Sequence, residues 1–232
     1  MTTSLKHMAF ILDGNRRWAK KNNLPSLIGH KRGYERAKDI TLLLSKYGVK
    51  YATYYMFSTE NWNRSTEEVN YLMDLFRDFF CISDDFFKKN NIRVLYIGNL
   101  EKLPNDISDK IRKVIKETEN NTGLTVVPAI SYSSRDEIVR AAKKIATEAS
   151  SGKINPDDLT EDTFSSYLDT GGIPDPDVLV RTSEQRISNF LLWQMAYTEL
   201  YFTKTLSPDF SPRELDKAVH EYAGRHRRYG GV

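Results

Sequence analysis

Residues Met8–Lys21 read MAFILDGNRRWAKK. A short apolar run stops at Asp13-Gly14-Asn15, and two arginines and an indole follow at once. The run has the composition of a strand buried on both faces, as in a parallel sheet. Gly14 supplies a sharp turn, and the residues after it restart as a helix. The order strand, turn, helix places a carboxylate, an amide and two fixed cations just beyond a strand's carboxyl end. In open α/β sheets that is where ligands bind.

The same alternation runs outward along the chain. Strands are expected at His7–Leu12, Tyr51–Phe57, Ile92–Ile97, Leu124–Ser131 and Val178–Arg181, with a last one near Glu199–Thr203. Apolar residues at helical spacing fill Gly33–Lys46, Glu67–Lys88, Asp106–Thr118 and Asp136–Glu148, and Pro212 opens a final helix over Arg213–Arg225. Asn155-Pro156-Asp157-Asp158 reads as a turn entering a further helix. The pattern predicts one α/β domain over residues 1–232, with a central, mostly parallel sheet of about six strands flanked by helices. Hydrophobic residues make up 40% of the 232 and charged residues 28%, enough for a sizeable core. A net charge of +3 does not argue for nucleic acid. Cys81 is the single cysteine, which excludes a disulfide framework and a cysteine-based zinc site. No apolar stretch reaches spanning length, and MTTSLKH lacks the apolar segment of a signal peptide, so a cytoplasmic protein is expected.

Three post-strand segments carry the chemistry. After the first strand, Arg16 and Arg17 offer forked donors suited to phosphate. Asp13 would repel that phosphate unless a cation lay between them, and Mg²⁺ takes one or two carboxylates together with phosphate oxygens. The alternative is a capped helix with solvated arginines. After the second strand comes FSTENWNR, Phe57–Arg64. Ser65 and Glu68 have the spacing of a capping box, which leaves Asn61, Trp62 and Arg64 unexplained. After the fifth strand, Arg181-Thr182-Ser183-Glu184-Gln185-Arg186-Ile187-Ser188-Asn189 has the makings of a second phosphate clamp or of a plain surface loop. Glu199 stands among apolar neighbours and needs a partner, which a cation shared with Asp13 would supply. Finally, Val69–Phe87 has a wider apolar arc than one buried stripe requires. It is either buried on two sides or one wall of a greasy cavity. Two diphosphate clamps, a divalent cation and an apolar cavity together fit a substrate with a diphosphate head and a hydrocarbon tail.

These residues resemble the cis-prenyltransferases, the isoprenyl transferase or undecaprenyl diphosphate synthase family. The likeness covers nearly the whole chain: HMAFILDGNRRWAKK, GHKRG at Gly29–Gly33, FSTENWNR, RDEI at Arg135–Ile138, RISNFLLWQMAYTELYF at Arg186–Phe202 and RRYGG at Arg227–Gly231. The resemblance implies a six-stranded parallel sheet with a hydrophobic tunnel, a homodimer, and condensation of isopentenyl diphosphate onto an allylic diphosphate. Farnesyl diphosphate is the implied starter, and a polyprenyl product such as undecaprenyl diphosphate, for a cell-wall carrier lipid, the implied outcome. It implies Mg²⁺ held by Asp13 and Glu199, with Asp13 the essential carboxylate and Asn61 assigned to proton removal. Gly14, Asn15, Arg16, Arg17, Trp18 and His30 would hold or line the allylic diphosphate site. Ser58, Thr59, Glu60, Trp62 and Arg64 would contact substrate, and Arg181, Arg186, Ile187 and Ser188 would bind isopentenyl diphosphate. The tail Arg228-Tyr229-Gly230 matches an element that reaches the site near the dimer interface. A lipid product implies transient contact with the inner face of a membrane.

Physics tempers one role: a neutral amide has no useful basicity near neutral pH, so Asn61 is expected to orient the proton's acceptor. Three positions depart from the family pattern. Ser26 stands where many members have an arginine, the loop from Thr182 to Arg186 is one residue shorter than the common form, and Ser133-Ser134 replace two glycines. A trans-prenyltransferase would need paired Asp-rich motifs in an all-α fold, and the acidic run at Asp157-Asp158 reads as helix capping instead. The presence of Asp13, Asn15, Asn61, Arg181, Arg186 and Glu199 argues against a non-catalytic partner subunit, and a lipid carrier would not need the Asp13–Glu199 pair.

Overall fold

The computed structural model describes residues 5–225, apart from the side chains of residues 81–84. MTTS at the start, Arg228-Tyr229-Gly230 at the end and the side chains of Cys81 and Ile82 lie outside the described residues. Six strands form one sheet: β1 (His7–Ile11), β2 (Tyr51–Ser58), β3 (Arg93–Val94), β4 (Thr125–Tyr132), β5 (Val178–Thr182) and β6 (Glu199–Thr203). Their order is β3-β4-β2-β1-β5-β6, and every pairing is parallel. The expected strand at Ile92–Ile97 shrinks to Arg93–Val94, with one further bridge from Ile97 to Ala129. As the edge strand it has a partner on one side only.

All five residues of β1 are buried. Met8 and Phe10 enter one core cluster, Ala9 and Ile11 the other. Side chains alternate across a pleated strand, so a strand covered on both faces needs apolar residues throughout. The first cluster packs beneath α2 (Ser26–Lys46), α3 (Thr66–Lys89), α4 (Asn105–Glu117) and α7 (Pro212–Ala223). On the other side Phe190 and Leu191 pack with β4 and β5, near α5 (Ser134–Ser150) and α6 (Glu161–Tyr167). In α3 the arc through Leu72, Met73, Phe76, Phe79, Phe80 and Phe87 is buried, each such side chain contributing roughly 1.5–3 kcal/mol by its removal from water. Leu75 and Phe86 widen the arc and line a cavity. The helix is therefore both a core element and a cavity wall.

Helix α2 begins seven residues before the expected Gly33, because Gly29 and Gly33 obscure its periodicity. Their role lies in packing against α1 (Asn15–Lys21). A Cβ at Gly29 would stand 2.1 Å from the Asn15 carbonyl oxygen, and one at Gly33 would stand 2.2 Å from Asn15 Oδ1. The two glycines let α1 press directly onto α2, which fixes the arginines of α1. The Asn155–Asp158 turn is capped by Asn155, whose Oδ1 accepts from the Asp157 N–H at 3.2 Å, as expected.

At the amino edge of the sheet, buried His7 ties strand to loop. Its Nδ1 lies 2.6 Å from the Pro174 carbonyl and its Nε2 lies 2.8 Å from Thr53 Oγ1. A carbonyl only accepts, so Nδ1 carries the proton and Nε2 accepts from the threonine hydroxyl. Burial pushes the His7 imidazole down to about 4. The unfolded chain therefore binds a proton near pH 6.5 that the folded chain refuses until about pH 4. Stability present above pH 6.5 is lost as the pH falls through that window, by about 3 kcal/mol in all. Denaturant titrations at pH 7 and pH 4.5 are expected to show this loss, and His7→Gln should flatten it. An equal acid sensitivity in His7→Gln would assign the effect to other groups.

Candidate active site

The parallel register between β1 and β5 sets Ile11 beside Arg181. Two residues on, Asp13 Oδ2 accepts from Arg181 Nη2 at 3.1 Å. The loop is held by Thr182 Oγ1–H, which donates to the Asp13 carbonyl at 2.7 Å, and by the Ser207 N–H at 3.0 Å. Gly14 turns at φ +102, and a Cβ there would meet Leu206 Cδ2 at 2.8 Å and Ser183 Oγ at 3.0 Å. Its N–H donates to Asp13 Oδ1 at 2.6 Å. The Arg181 side chain is 3% exposed and that of Asp13 is 38% exposed. The cation is thus sunk in the floor of the site, while its carboxylate partner faces the opening.

Asp13 and Arg181 lie in a cleft of about 1260 Å³, open to solvent, at the carboxyl ends of the central strands. Gly14, Asn15, Arg16, Arg17, His30, Ser58, Glu60, Asn61, Arg64, Arg186 and Ser188 line it too. Ser26, at the first turn of α2, stands at its wall. Five arginines therefore converge on one space, whose lining also holds three carboxylates, Asp13, Glu60 and Glu184.

Two acidic residues hold those arginines in place. Glu68 Oε1 accepts from Arg64 Nη1 at 3.0 Å, and its Oε2 lies 3.4 Å from Arg16 Nη1. His30 Nε2 stands 3.7 Å from Glu68 Oε1, without a hydrogen bond. Burial pulls the His30 imidazole below its usual value, against the opposing pull of Glu68. Across the cleft, Glu184 Oε1 pairs with Arg17 Nη1 at 2.7 Å and Oε2 with Arg186 Nη1 at 2.8 Å. Arg17 Nη2 also donates to Ser183 Oγ at 2.8 Å and lies 3.7 Å from Asp13 Oδ1. Arg181 Nη1 donates to Ser188 Oγ at 2.6 Å and to the Arg186 carbonyl. Despite the shortened loop, Arg186 reaches the cleft wall.

Asn61 closes its own turn, since its Oδ1 accepts from the Ser58 N–H at 3.1 Å. One of the two acceptor sites of the amide oxygen is occupied, and Nδ2 keeps its hydrogens to donate. Next to the cleft lies an apolar cavity of about 120 Å³. Leu12, Asn15, His30, Tyr55, Met56 and Leu72 line both. Beyond them the apolar walls include Tyr34, Phe76, Phe79, Phe86, Phe87 and Val126, with the Lys38 ammonium 5.1 Å from the centre of the Phe86 ring.

Several expected site residues lie elsewhere. Trp18 does not line the cleft, and its Nε1–H donates to Asp209 Oδ1 at 2.8 Å. Trp62 packs its ring 4.9 Å from Phe57 and donates to Ser131 Oγ at 3.0 Å. It ties the turn after β2 to β4. Thr59 and Ile187 do not border the cleft either. Glu199 begins β6 opposite Val178, at the amino end of the strands, with its Oε2 2.5 Å from Arg225 Nη1. Its partner is therefore an arginine, and one chain does not bring it to Asp13, because parallel strands keep opposite ends apart. Among the described residues, no group of three or more His, Cys, Asp or Glu could hold a metal ion. Asp13 by itself fits Mg²⁺ in the way that ion is commonly held, by one carboxylate with substrate phosphate oxygens and water.

Sequence reasoning missed Glu68 and Glu184. The Ser65 cap is real, with Oγ accepting from the Glu68 N–H at 3.3 Å, but the Glu68 carboxylate turns to the cations instead of closing the box. Glu184 had a readable signal: an acid between Arg181 and Arg186.

The family model for a putative undecaprenyl diphosphate synthase matches residues 11–230. An isoprenyl transferase from Treponema denticola is 47% identical over the full length of both chains. One from Clostridium perfringens is 46% identical over 98% of this chain and 90% of its own. Among solved structures, lavandulyl diphosphate synthase from Lavandula x intermedia, in complex with dimethylallyl diphosphate, superposes with a TM-score of 0.94 at 37% identity, covering 98% of each chain. A probable undecaprenyl diphosphate synthase from Campylobacter jejuni gives 0.82 at 32% identity, over 98% of this chain and 99% of that one. The arginine-lined cleft is thus set in a fold and a sequence shared along their whole length with enzymes of prenyl chain elongation, and the chain belongs to the undecaprenyl diphosphate synthase family of prenyltransferases.

Proposed function

We propose that the chain condenses isopentenyl diphosphate onto an allylic diphosphate, with farnesyl diphosphate as starter, adding cis units to give undecaprenyl diphosphate for a cell-wall carrier lipid. The observation that carries this reading is the adjacency of the two spaces. A cleft walled by arginines shares Leu12, Asn15, His30, Tyr55, Met56 and Leu72 with an apolar cavity. A diphosphate head and a hydrocarbon tail find their own solvents on either side of those shared residues.

Arg16, Arg17 and His30 would hold the allylic diphosphate, with the tail laid along α3. Arg181, Arg186 and Ser188 would hold isopentenyl diphosphate. The allylic C–O bond breaks, the isopentenyl double bond attacks the allylic carbon, and a proton is lost to form the new double bond. Arginine forks stabilise the charge gathering on the departing diphosphate. The Asn61 amide donates through Nδ2, which suits it to orient the water or diphosphate oxygen that takes the proton. Mg²⁺, held by Asp13, would supply Lewis-acid stabilisation of the diphosphate when bound. The apolar side chains exposed at Leu192, Trp193, Tyr197 and Leu200 suit a homodimer. No helix among the described residues is long and apolar enough to cross a membrane, which accords with a cytoplasmic enzyme that touches the inner membrane face only to release product.

Purified chain with farnesyl diphosphate, labelled isopentenyl diphosphate and Mg²⁺ is expected to yield elongated products, with chromatography showing a chain of eleven units, and EDTA should abolish the reaction. Absence of any elongation would favour a partner subunit that activates a second chain, and metal-independent ligand binding without turnover a lipid carrier. Arg17→Ala is expected to raise the allylic substrate's KM about tenfold or more and to lower turnover, as the loss of a charge-assisted contact implies; unchanged kinetics would remove Arg17 from the clamp. Asn61→Asp should lose most activity, since it trades a donor for a second carboxylate. Full activity with a carboxylate-like pH profile in that variant would show that this position takes the proton directly.

A further inference from the structure

The segment that carries the second clamp runs through an unusual backbone. Ser188, Asn189 and Leu191 have φ values of 49°, 60° and 47°. Left-handed backbone is uncommon without glycine, and several such residues within four persist only where tertiary contacts over-determine them. The contacts are centred on Asn189. Its carbonyl accepts from the Ser134 N–H at 2.8 Å, and its Oδ1 accepts from the Arg135 N–H at 3.0 Å. Those are the first two amides of α5, which receives no side-chain cap from its own Ser133. Asn189 therefore caps α5 from a distant part of the chain, satisfying donors that a helix start leaves open. Its Nδ2 donates to Glu60 Oε1 at 2.9 Å. A second stitch lies alongside: Ser134 Oγ, a hydroxyl that glycine would lack, accepts from the Leu192 N–H at 2.9 Å.

One residue earlier, Ser188 Oγ accepts from Arg181 Nη1 at 2.6 Å, and the Ser188 carbonyl accepts from Tyr55 Oη–H at 3.3 Å. Whatever holds Asn189 thus holds the hydroxyl that orients the buried Arg181. Through Glu60 it also reaches the turn that carries Asn61. We infer that Asn189 is a positioning residue: by capping α5 and binding Glu60, it sets the isopentenyl diphosphate clamp and locks it to the turn after β2. The inference rests on the condensation reading for the identity of that ligand. An amide is the side chain suited to the place. Aspartate could still accept from the Arg135 N–H, but it would set a carboxylate against Glu60. Alanine would satisfy neither contact.

The test uses the full chain and calorimetric binding of isopentenyl diphosphate, with steady-state KM values for both substrates and thermal melts. Asn189→Ala is expected to weaken isopentenyl diphosphate binding about tenfold, and to raise its KM alike, while the allylic KM stays within about threefold. Asn189→Asp should be worse, and adding Glu60→Gln, which restores a donor opposite the new acceptor, should recover about tenfold of that loss. Unchanged isopentenyl diphosphate binding in Asn189→Ala would overturn the inference. So would equal losses for both substrates with a lowered melting temperature and no recovery in the Asn189→Asp/Glu60→Gln pair, which would mark Asn189 as merely structural. A native chain that binds isopentenyl diphosphate but elongates nothing would bring down the reaction reading and leave the binding comparison standing.

Discussion

The site depends on the pairing of Asp13 with Arg181 across the carboxyl ends of two adjacent parallel strands. A guanidinium that deep needs an anion, because an unpaired buried charge is costly. Asp13 supplies it, and in doing so leaves a carboxylate edge toward the cleft. The strand order β2-β1-β5 makes this pairing possible. The connection after β1 leads toward β2 on one side, β5 lies on the other, and the crevice opens between the two. Nearly every functional side chain of the cleft lies on one of the three segments that follow β1, β2 and β5.

The remaining cations pose the opposite problem. Arg16, Arg17, Arg64 and Arg186 crowd one space and would repel one another without a diphosphate among them. Glu68 and Glu184 answer this by each bridging two arginines from different segments. Exposed pairs of this kind add little to stability. Their effect is on geometry: forks that would otherwise sweep through solvent are held at the cleft wall, so less side-chain freedom is lost when a phosphate arrives.

Much of this was legible in the chain. The alternation of strands and helices, the placement of Asp13, Gly14, Arg16 and Arg17 just beyond β1, and the second set from Arg181 to Ser188 all follow from short-range pattern. So did the broad apolar arc of α3. Misreadings came where local rules competed with tertiary ones. The helix expected from Gly33 begins at Ser26, and Gly29 and Gly33 form the groove that seats α1. Glu68 had the spacing of a capping partner, yet its carboxylate met stronger partners across space. Glu199, flanked by apolar residues, called for a cation, and within one chain that cation is Arg225.

By itself, the sequence determined which segments are buried strands, where each turns, and which charged groups wait at each turn, because period, glycine placement and charge act within a few residues. Only the tertiary structure decided which of those groups meet. Register set Arg181 beside Asp13 and Glu199 at the far end of the sheet, and left-handed backbone at Asn189 brought a distant amide onto α5 and Glu60. Such meetings join segments between 54 and 168 residues apart, and no local rule contains them.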